Sequence, residues 1–439
     1  METIAILGTG IAGDEAAFAA KKTKPDARIV LIGKEPYALY SACVLAEYVS
    51  GTIPKDRVLL RKPQDYKDAG IELMLSRNVV DWSAEDRILF FEDGKLSYDQ
   101  LILATGSKTF VPPIPGVEKE GVVALKTLDD AEKIRATEGK SVVVVGSGPV
   151  GIEAAVAFQH LGWSVSIVEL LDRILPRLFD VPLAETLTNR LAKEGIHTYT
   201  NEKVMEISGN RRVEVVTTDK RKIPADIVVM VVGMSPEVQL AKKAGIAFGA
   251  SGGIGVNDHM ETSLPGVWAC GDCVESKDLV TGKSKLYMLW NNARLQGRIA
   301  GANAAGADKR YSGSLNITTV SFFGDAAASV GCLASEFSEG EVDVFYSQKW
   351  WGSLWLIIKG NQLVGVQAMG QTERVGGLLG SILRAQNLLE ATVEGPRLSG
   401  WLEIWTLQGI ERQFLKQLQH PVISEKDHSK NHLLPHRTL

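Results

Sequence analysis

The chain has 439 residues, 45% of them hydrophobic and 23% charged, a globular composition with length for roughly three domains. A formal charge of -4 excludes a general nucleic-acid binder, because neutralising a phosphate backbone needs a basic face. Four unevenly spaced cysteines, Cys43, Cys270, Cys273 and Cys332, make neither a disulfide framework nor a zinc motif, and they suit a reducing compartment.

The first apolar run, residues 4–7, follows no basic n-region of a secretory signal. No stretch approaches the roughly 20 apolar residues of a membrane span. A cytoplasmic protein without a membrane partner is therefore expected. The run opens a strand, glycine-loop and helix unit through Gly8, Gly10, Ile11, Ala12 and Gly13. An alanine-rich helix to about residue 22 and a strand at 28–32 follow. A second unit repeats the pattern: a valine strand at 142–145, then Gly146, Gly148, Pro149, Val150 and Gly151, a helix to about 161 and a strand at 164–168.

In such a unit the first glycine permits the tight turn, the second lets the backbone approach a pyrophosphate, and the third brings helix against strand. The diphosphate sits on the helix N-terminus. A lone GxGxxG is weak, but here each copy follows an apolar strand, opens a helix and precedes an acid near the next strand's end. Two dinucleotide sites are expected. Glu169 stands directly after its strand, where a carboxylate accepts both ribose hydroxyls and repels a 2'-phosphate, so the second site favours NAD(H). In the first unit Gly33 holds that place, and Glu35 is assigned to the adenosine ribose.

Later segments complete the folds. Residues 98–107 form an apolar strand running into the small-residue turn Ala104, Thr105, Gly106, and residues 225–236 have the same form around Gly233. Residues 264–275 read as a strand ending at Gly271 and Asp272, before a helix expected from about 288 to 303 that opens near Trp290 and Asn291. An Asp at such a turn can bind a ribityl hydroxyl, with the helix N-terminus beyond it turned toward a flavin. The expected fold class is α/β, with two Rossmann-like dinucleotide-binding domains plus a C-terminal α+β interface domain. The first domain covers 1–110 and 255–321, the second 111–254, the interface domain 322–420, and a flexible tail 421–439. Within 322–420, apolar segments at 353–358 and 362–369 precede a helix at 376–389. His428, His432 and His436 in the tail lack the partners of a metal site, and no metal is expected.

Gly-Thr-Gly-Ile-Ala-Gly at 8–13, Leu-Ala-Thr-Gly at 103–106, Gly-Ser-Gly-Pro-Val-Gly at 146–151 and Ala-Cys-Gly-Asp at 269–272 resemble the FAD/NAD-linked pyridine nucleotide-disulfide oxidoreductases. The likeness spans nearly the whole chain. It implies FAD on Gly8, Gly10, Ile11, Ala12, Gly13, Glu35, Ala104, Thr105, Gly106, Gly271, Asp272 and Trp290. It implies NAD(H) on Gly146, Gly148, Pro149, Val150, Gly151, Glu169 and Gly233.

Within that superfamily, the CxxxxC redox disulfide of glutathione and lipoamide reductases is absent. Residues 40–51 instead resemble the single-cysteine segment of coenzyme A-disulfide reductases, NADH oxidases and persulfide reductases, with Ala42 and Ala46 where that segment carries prolines. The tyrosine that those reductases bring to the cysteine from a Tyr-Ala-Pro-Pro-Phe stretch has no match after Leu389. Residues 289–298, with Gly33-Lys34-Glu35-Pro36, resemble rubredoxin reductases and the NADH-facing part of nitrite reductase. The cysteine segment also resembles flavin subunits of anaerobic 2-oxoacid:acceptor complexes, including phenylglyoxylate dehydrogenase.

These likenesses imply hydride transfer between NADH and FAD, and three fates for the electrons. In the first they are exchanged with a redox partner, an iron-sulfur or rubredoxin/ferredoxin-type protein or the subunits of a complex, with NAD+ as final acceptor when flow reverses. In the second, Cys43 reduces a coenzyme A disulfide, a persulfide or oxygen. In the third the chain is a non-catalytic dinucleotide sensor. Either a homo- or a hetero-oligomer fits. Cys43 is expected at the start of a helix over 44–49, whose dipole would lower its pKa; the alternative is a small hydrophobe beside the ring. Cys270 and Cys273 flank the Gly271–Asp272 turn, away from any thioredoxin-like helix start, and Cys332 reads as core.

Overall fold

The first apolar run becomes the strand Thr3–Leu7, buried at every position. Arg28–Ile32 pairs along one side and Gln100–Leu103 along the other, while Ile71–Met74 and Val267–Ala269 form the two edges; all five strands are parallel. The chain leaves the central strand toward one edge and returns on the other side. The carboxyl end of Thr3–Leu7 is thus a topological switch point, where open α/β sheets bind ligands.

The second sheet repeats the plan around Ser141–Val145. Ser164–Val168 and Ile196–Tyr199 lie on one side, Ile227–Met230 and Val122–Ala124 on the other, again all parallel. Runs such as Val142 to Val145 are buried throughout, as a sheet covered on both faces requires.

The computed structural model describes residues 1–350, 352–383 and 437–438. It divides into two compact units, Met1–Leu170 with Gly195–Leu315, and Leu171–Glu194 with Asn316–Leu439. In the first, the alanine-rich helix Ile11–Thr23 packs against Trp290–Ala304 with backbones almost touching. A Cβ on Gly297 would lie 2.2 Å from Ala12 O, and one on Gly301 2.1 Å from Ala16 O. Glycine inside a helix costs about 1 kcal/mol relative to alanine, so this close approach accounts for both.

The second unit is an antiparallel sheet in the order Ile317–Phe322, Asp325–Gly331, Gln362–Gly370, Gly352–Lys359, Asp343–Lys349, with Arg437–Thr438 added in parallel at the last edge. The helix Val181–Lys193 belongs to it. Asp180, at that helix's N-cap, accepts hydrogen bonds from Ala334 N and Ser335 N at 3.1 and 3.3 Å, and it exchanges bonds with the buried amide of Gln367. The helix expected at 376–389 is present as Gly376–Leu383. The remainder of that helix, and the tail with His428, His432 and His436, lie outside the described residues. Among the described residues no helix is long and apolar enough to cross a membrane.

Candidate functional site

The two glycine loops have the same construction. Gly8 and Gly146 adopt φ of +118° and +101°, conformations that L side chains avoid. A Cβ on Gly13 would lie 1.8 Å from Gly8 O, and one on Gly151 2.3 Å from Gly146 O, so these glycines bring helix against strand. The middle glycines differ, since a Cβ on Gly10 or Gly148 would meet nothing within 4 Å. Gly10 and Gly148 are the N-caps of Ile11–Thr23 and Pro149–His160, and neither helix carries a side-chain cap. The N–H groups of both first turns, which have no intrahelical acceptor, therefore open onto free space at the positive end of a helix. Each cradle fits a diphosphate. Gly10, Ile11, Ala12 and Gly13 form one, and Gly148, Pro149, Val150 and Gly151 the other; Pro149, at the first helical position, sacrifices no bonded N–H.

Glu169 follows Ser164–Val168 and is 8% exposed. Its Oε2 accepts from Ser147 N and Ser147 Oγ at 2.9 and 2.6 Å, which locks the carboxylate against its own glycine loop. Glu35 is half-buried, and its Oε2 accepts the Tyr40 hydroxyl at 2.8 Å. Tyr40 Oη in turn accepts from Leu128 N at 3.3 Å. Burial first and Glu35 second push the Tyr40 phenol well up, so it remains a proton donor.

The two small-residue turns that look alike in the sequence pair with each other. Ser107–Thr109 runs antiparallel to Met234–Pro236, Phe110 N donates to Gly233 O at 3.0 Å, and Thr105 Oγ1 donates to Glu237 O at 2.6 Å. Ala104, Thr105, Gly106 and Gly233 thus share one seam. Asp272 joins it through Ser107, whose hydroxyl lies 2.7 Å from Asp272 Oδ2 and 2.8 Å from Lys126 Nζ. Trp290 is the first residue of its helix and is half-buried.

Cys43 lies in the single 3-10 turn Ala42–Val44, with the five-residue helix Leu45–Val49 after it. That segment is clamped to the helix Leu128–Arg135. Tyr37 and Tyr48 donate to Asp129 and Glu132, each at 2.9 Å, Lys55 pairs with Glu132 at 2.7 Å, and Arg135 donates to Tyr48 O. Cys43 is exposed to solvent, although protein surrounds much of it. Desolvation there, followed by the carboxylates of Glu153, Asp272 and Glu47, pushes its thiol up, and a hydrogen bond with Ser41 does not offset them. The lowered pKa expected from a helix start is thus corrected. The α-helix begins two residues after Cys43 and is too short for much of a dipole, whereas the carboxylates are at hand. Cys270, Cys273 and Cys332 are buried.

Residues 2–297 match the family described as Pyridine nucleotide-disulphide oxidoreductase. The chain belongs to that family. An NADH oxidase of Methanocaldococcus jannaschii is 36% identical over 331 residues, 73% of each chain. A CoA-dependent NAD(P)H sulfur oxidoreductase of Pyrococcus abyssi is 30% identical over 394 residues, 84% of this chain and 87% of its own. Among solved structures, a NAD-dependent persulfide reductase from A. fulgidus matches 99% of this chain and 90% of its own at 26% identity, with a TM-score of 0.84. A ferredoxin reductase from Rhodopseudomonas palustris matches 84% and 91% at 27% identity, with a TM-score of 0.77. This pyridine nucleotide-disulphide oxidoreductase is therefore an NAD(P)H-linked flavin enzyme whose cofactors are FAD and NAD(H), and the sensor reading is set aside.

Several residues of the site carried no weight in the sequence. Ser107 directly follows the turn at 104–106. Glu153 lies one helical turn beyond Pro149, so helical spacing alone places it near the loop. Lys126 gives no local signal; it precedes the capping box of Thr127 and Asp130, and only the fold brings it to Ser107.

Proposed function

We propose that this oxidoreductase passes hydride between NADH and FAD and exchanges electrons with a protein partner, an iron-sulfur or rubredoxin/ferredoxin-type protein or the subunits of a larger complex. The observation that carries this reading is the setting of Cys43. Attack on a disulfide or persulfide needs a thiolate, and desolvation with Glu153, Asp272 and Glu47 pushes this thiol's pKa up, which disfavours that thiolate. The likeness to a ferredoxin reductase at 27% identity supports the same reading.

Bound FAD supplies the conversion between two-electron hydride and one-electron steps. The chain supplies the positions. Gly146 to Gly151 and Glu169 hold the coenzyme at one switch point, and Gly8 to Gly13 and Asp272 hold the flavin at the other. The carboxylates of Glu153, from the second glycine-loop helix, and Asp272, from the first fold, both raise the Cys43 pKa. When the partner is the donor, the same geometry delivers hydride to NAD+.

A second reading keeps Cys43 as a catalytic thiol acting on a coenzyme A disulfide, a persulfide or oxygen. It is favoured by Cys43 being the one exposed cysteine of the four and by the names of the sulfur and persulfide reductases among the relatives. One experiment separates the two. The protein is reduced anaerobically with NADH and then offered coenzyme A disulfide, oxygen and a ferredoxin in turn, as wild type and as Cys43→Ser. Equal ferredoxin rates in both, with negligible disulfide turnover, support the partner reading. Fast disulfide turnover that Cys43→Ser abolishes overturns it.

A further inference from the structure

We propose that Gln296 is a positioning residue of the flavin site, holding the Gly271–Asp272 turn in place through its side-chain amide; this rests on the reading that the turn holds FAD. Gln296 lies on the helix Trp290–Ala304 and is 1% exposed. Its Oε1 accepts Gly271 N at 2.9 Å. Its Nε2 donates to Ser276 Oγ and Ser314 Oγ, each at 3.2 Å, and those two hydroxyls bond each other at 2.7 Å.

The arrangement fixes the amide's orientation. A flipped amide would turn its NH2 toward the Gly271 N–H, donor against donor, and would leave both serines without their donor. The Gly271 N–H itself is buried where water does not reach, and the residue holds φ of +83°. Its acceptor is Gln296 Oε1, so losing that oxygen would leave a buried donor unsatisfied or force the turn to shift.

Asp272 is therefore set from two sides. Ser107 aims its carboxylate, at 2.7 Å, and Gln296 anchors the peptide that precedes it. One helical turn earlier, Asn292 uses the same device at the opposite end of the network. Its amide donates to Leu315 O at 3.0 Å and accepts from Leu315 N at 3.2 Å, and Tyr311 reaches Ser314 at 2.9 Å. Two amides at i and i+4 on one buried helix face thus tie the turn to residues 311–315. Gln296 acts on the turn through Gly271.

The test compares bound FAD, FAD dissociation measured by flavin fluorescence on dilution, and the visible flavin spectrum in the holoenzyme and its variants. Gln296→Leu is expected to weaken FAD binding about tenfold and to shift the flavin spectrum. Gln296→Glu keeps an acceptor for Gly271 N–H and is expected to restore affinity to within about threefold of wild type. Tyr311→Phe, which loosens the network without touching Gly271, is expected to lower the melting temperature and leave FAD affinity and spectrum unchanged. If Gln296→Leu does not fold, Gln296→Met fills similar volume with a flexible chain and carries the same expectation.

Wild-type FAD affinity in Gln296→Leu alongside loss in Asp272→Ala overturns the proposal and leaves the turn as the flavin site. Equal weakening in Tyr311→Phe and Gln296→Leu also overturns it, because the role is then structural. FAD affinity unchanged in Asp272→Ala removes the turn from the flavin site, and the proposal falls with it.

Discussion

Ser107 donates its hydroxyl to Asp272 at 2.7 Å while accepting from Lys126 at 2.8 Å, a chain of two bonds joining residues from three distant segments. The direction follows from chemistry: an ammonium only donates, a carboxylate only accepts, and a hydroxyl has one proton to give. Burial lowers the Lys126 pKa, and the charges of Asp272 and Glu35 offset that lowering only in part. Ser107→Ala breaks both bonds at once. The expected outcome is a stability loss of about 1 kcal/mol and FAD binding weakened several-fold. Thermal unfolding and an FAD titration check it, and wild-type values for both would show that the chain of bonds has no energetic role.

The glycine loops separate folding from binding. Gly10 and Gly148 have ordinary extended φ and open space where a Cβ would go, whereas a Cβ on Gly13 would lie 1.8 Å from Gly8 O. Gly10→Ala is expected to fold with a near-normal melting temperature but to lose FAD affinity by tenfold or more, because its methyl occupies the diphosphate's approach. Gly148→Ala should do the same for NADH, read as a raised KM. Gly13→Ala should instead destabilise the fold itself, by roughly 2 kcal/mol or more. A Gly10→Ala protein that retains tight FAD would remove this loop from the flavin site.

These contrasts mark what the sequence makes visible. Glycine spacing and buried valine runs express local backbone constraints, so both parallel sheets and both loops could be read directly from residues 4–13 and 142–151. The Ser107–Asp272–Lys126 chain could not, because its partners lie 165 and 19 residues from Ser107 and meet only once the two small-residue turns pair. The environment of Cys43 is hidden from the sequence for the same reason. Its local sequence suggested a helix start, but the field at its sulfur is set by Glu153 and Asp272, which arrive through the tertiary fold.

Coenzyme choice is expected to follow Glu169. Its carboxylate is held by Ser147, and on the proposed assignment to the adenosine ribose it would repel a 2'-phosphate; the next residue, Leu170, is 63% exposed. Glu169→Ala with Leu170→Arg removes the repulsion and offers a guanidinium to the phosphate. kcat/KM for NADPH should rise about tenfold or more, and that for NADH should fall by a similar factor. Initial rates with an artificial electron acceptor measure both. An unchanged NADPH/NADH ratio would place the adenosine ribose elsewhere.

The pH dependence of Cys43 follows from the direction of its shift. Desolvation and then Glu153 favour the protonated thiol, so in the folded chain the thiolate forms only above the ordinary cysteine range, while in the unfolded chain it forms within that range. As pH rises between the two, the unfolded state releases its proton first. The contribution of this group to stability is therefore fully present below the unfolded value and is lost as pH climbs through the folded one. Alkylation by iodoacetamide should be slower at pH 8 than for a free cysteine and should accelerate only in more alkaline buffer. Glu153→Gln removes the charge that opposes the thiolate most strongly, and should speed alkylation at pH 8 and move the profile toward neutral. A profile already at or below that of a free thiol in the wild type would mean that Cys43 is held as a thiolate, and the thiol-substrate reading would then displace the protein-partner one.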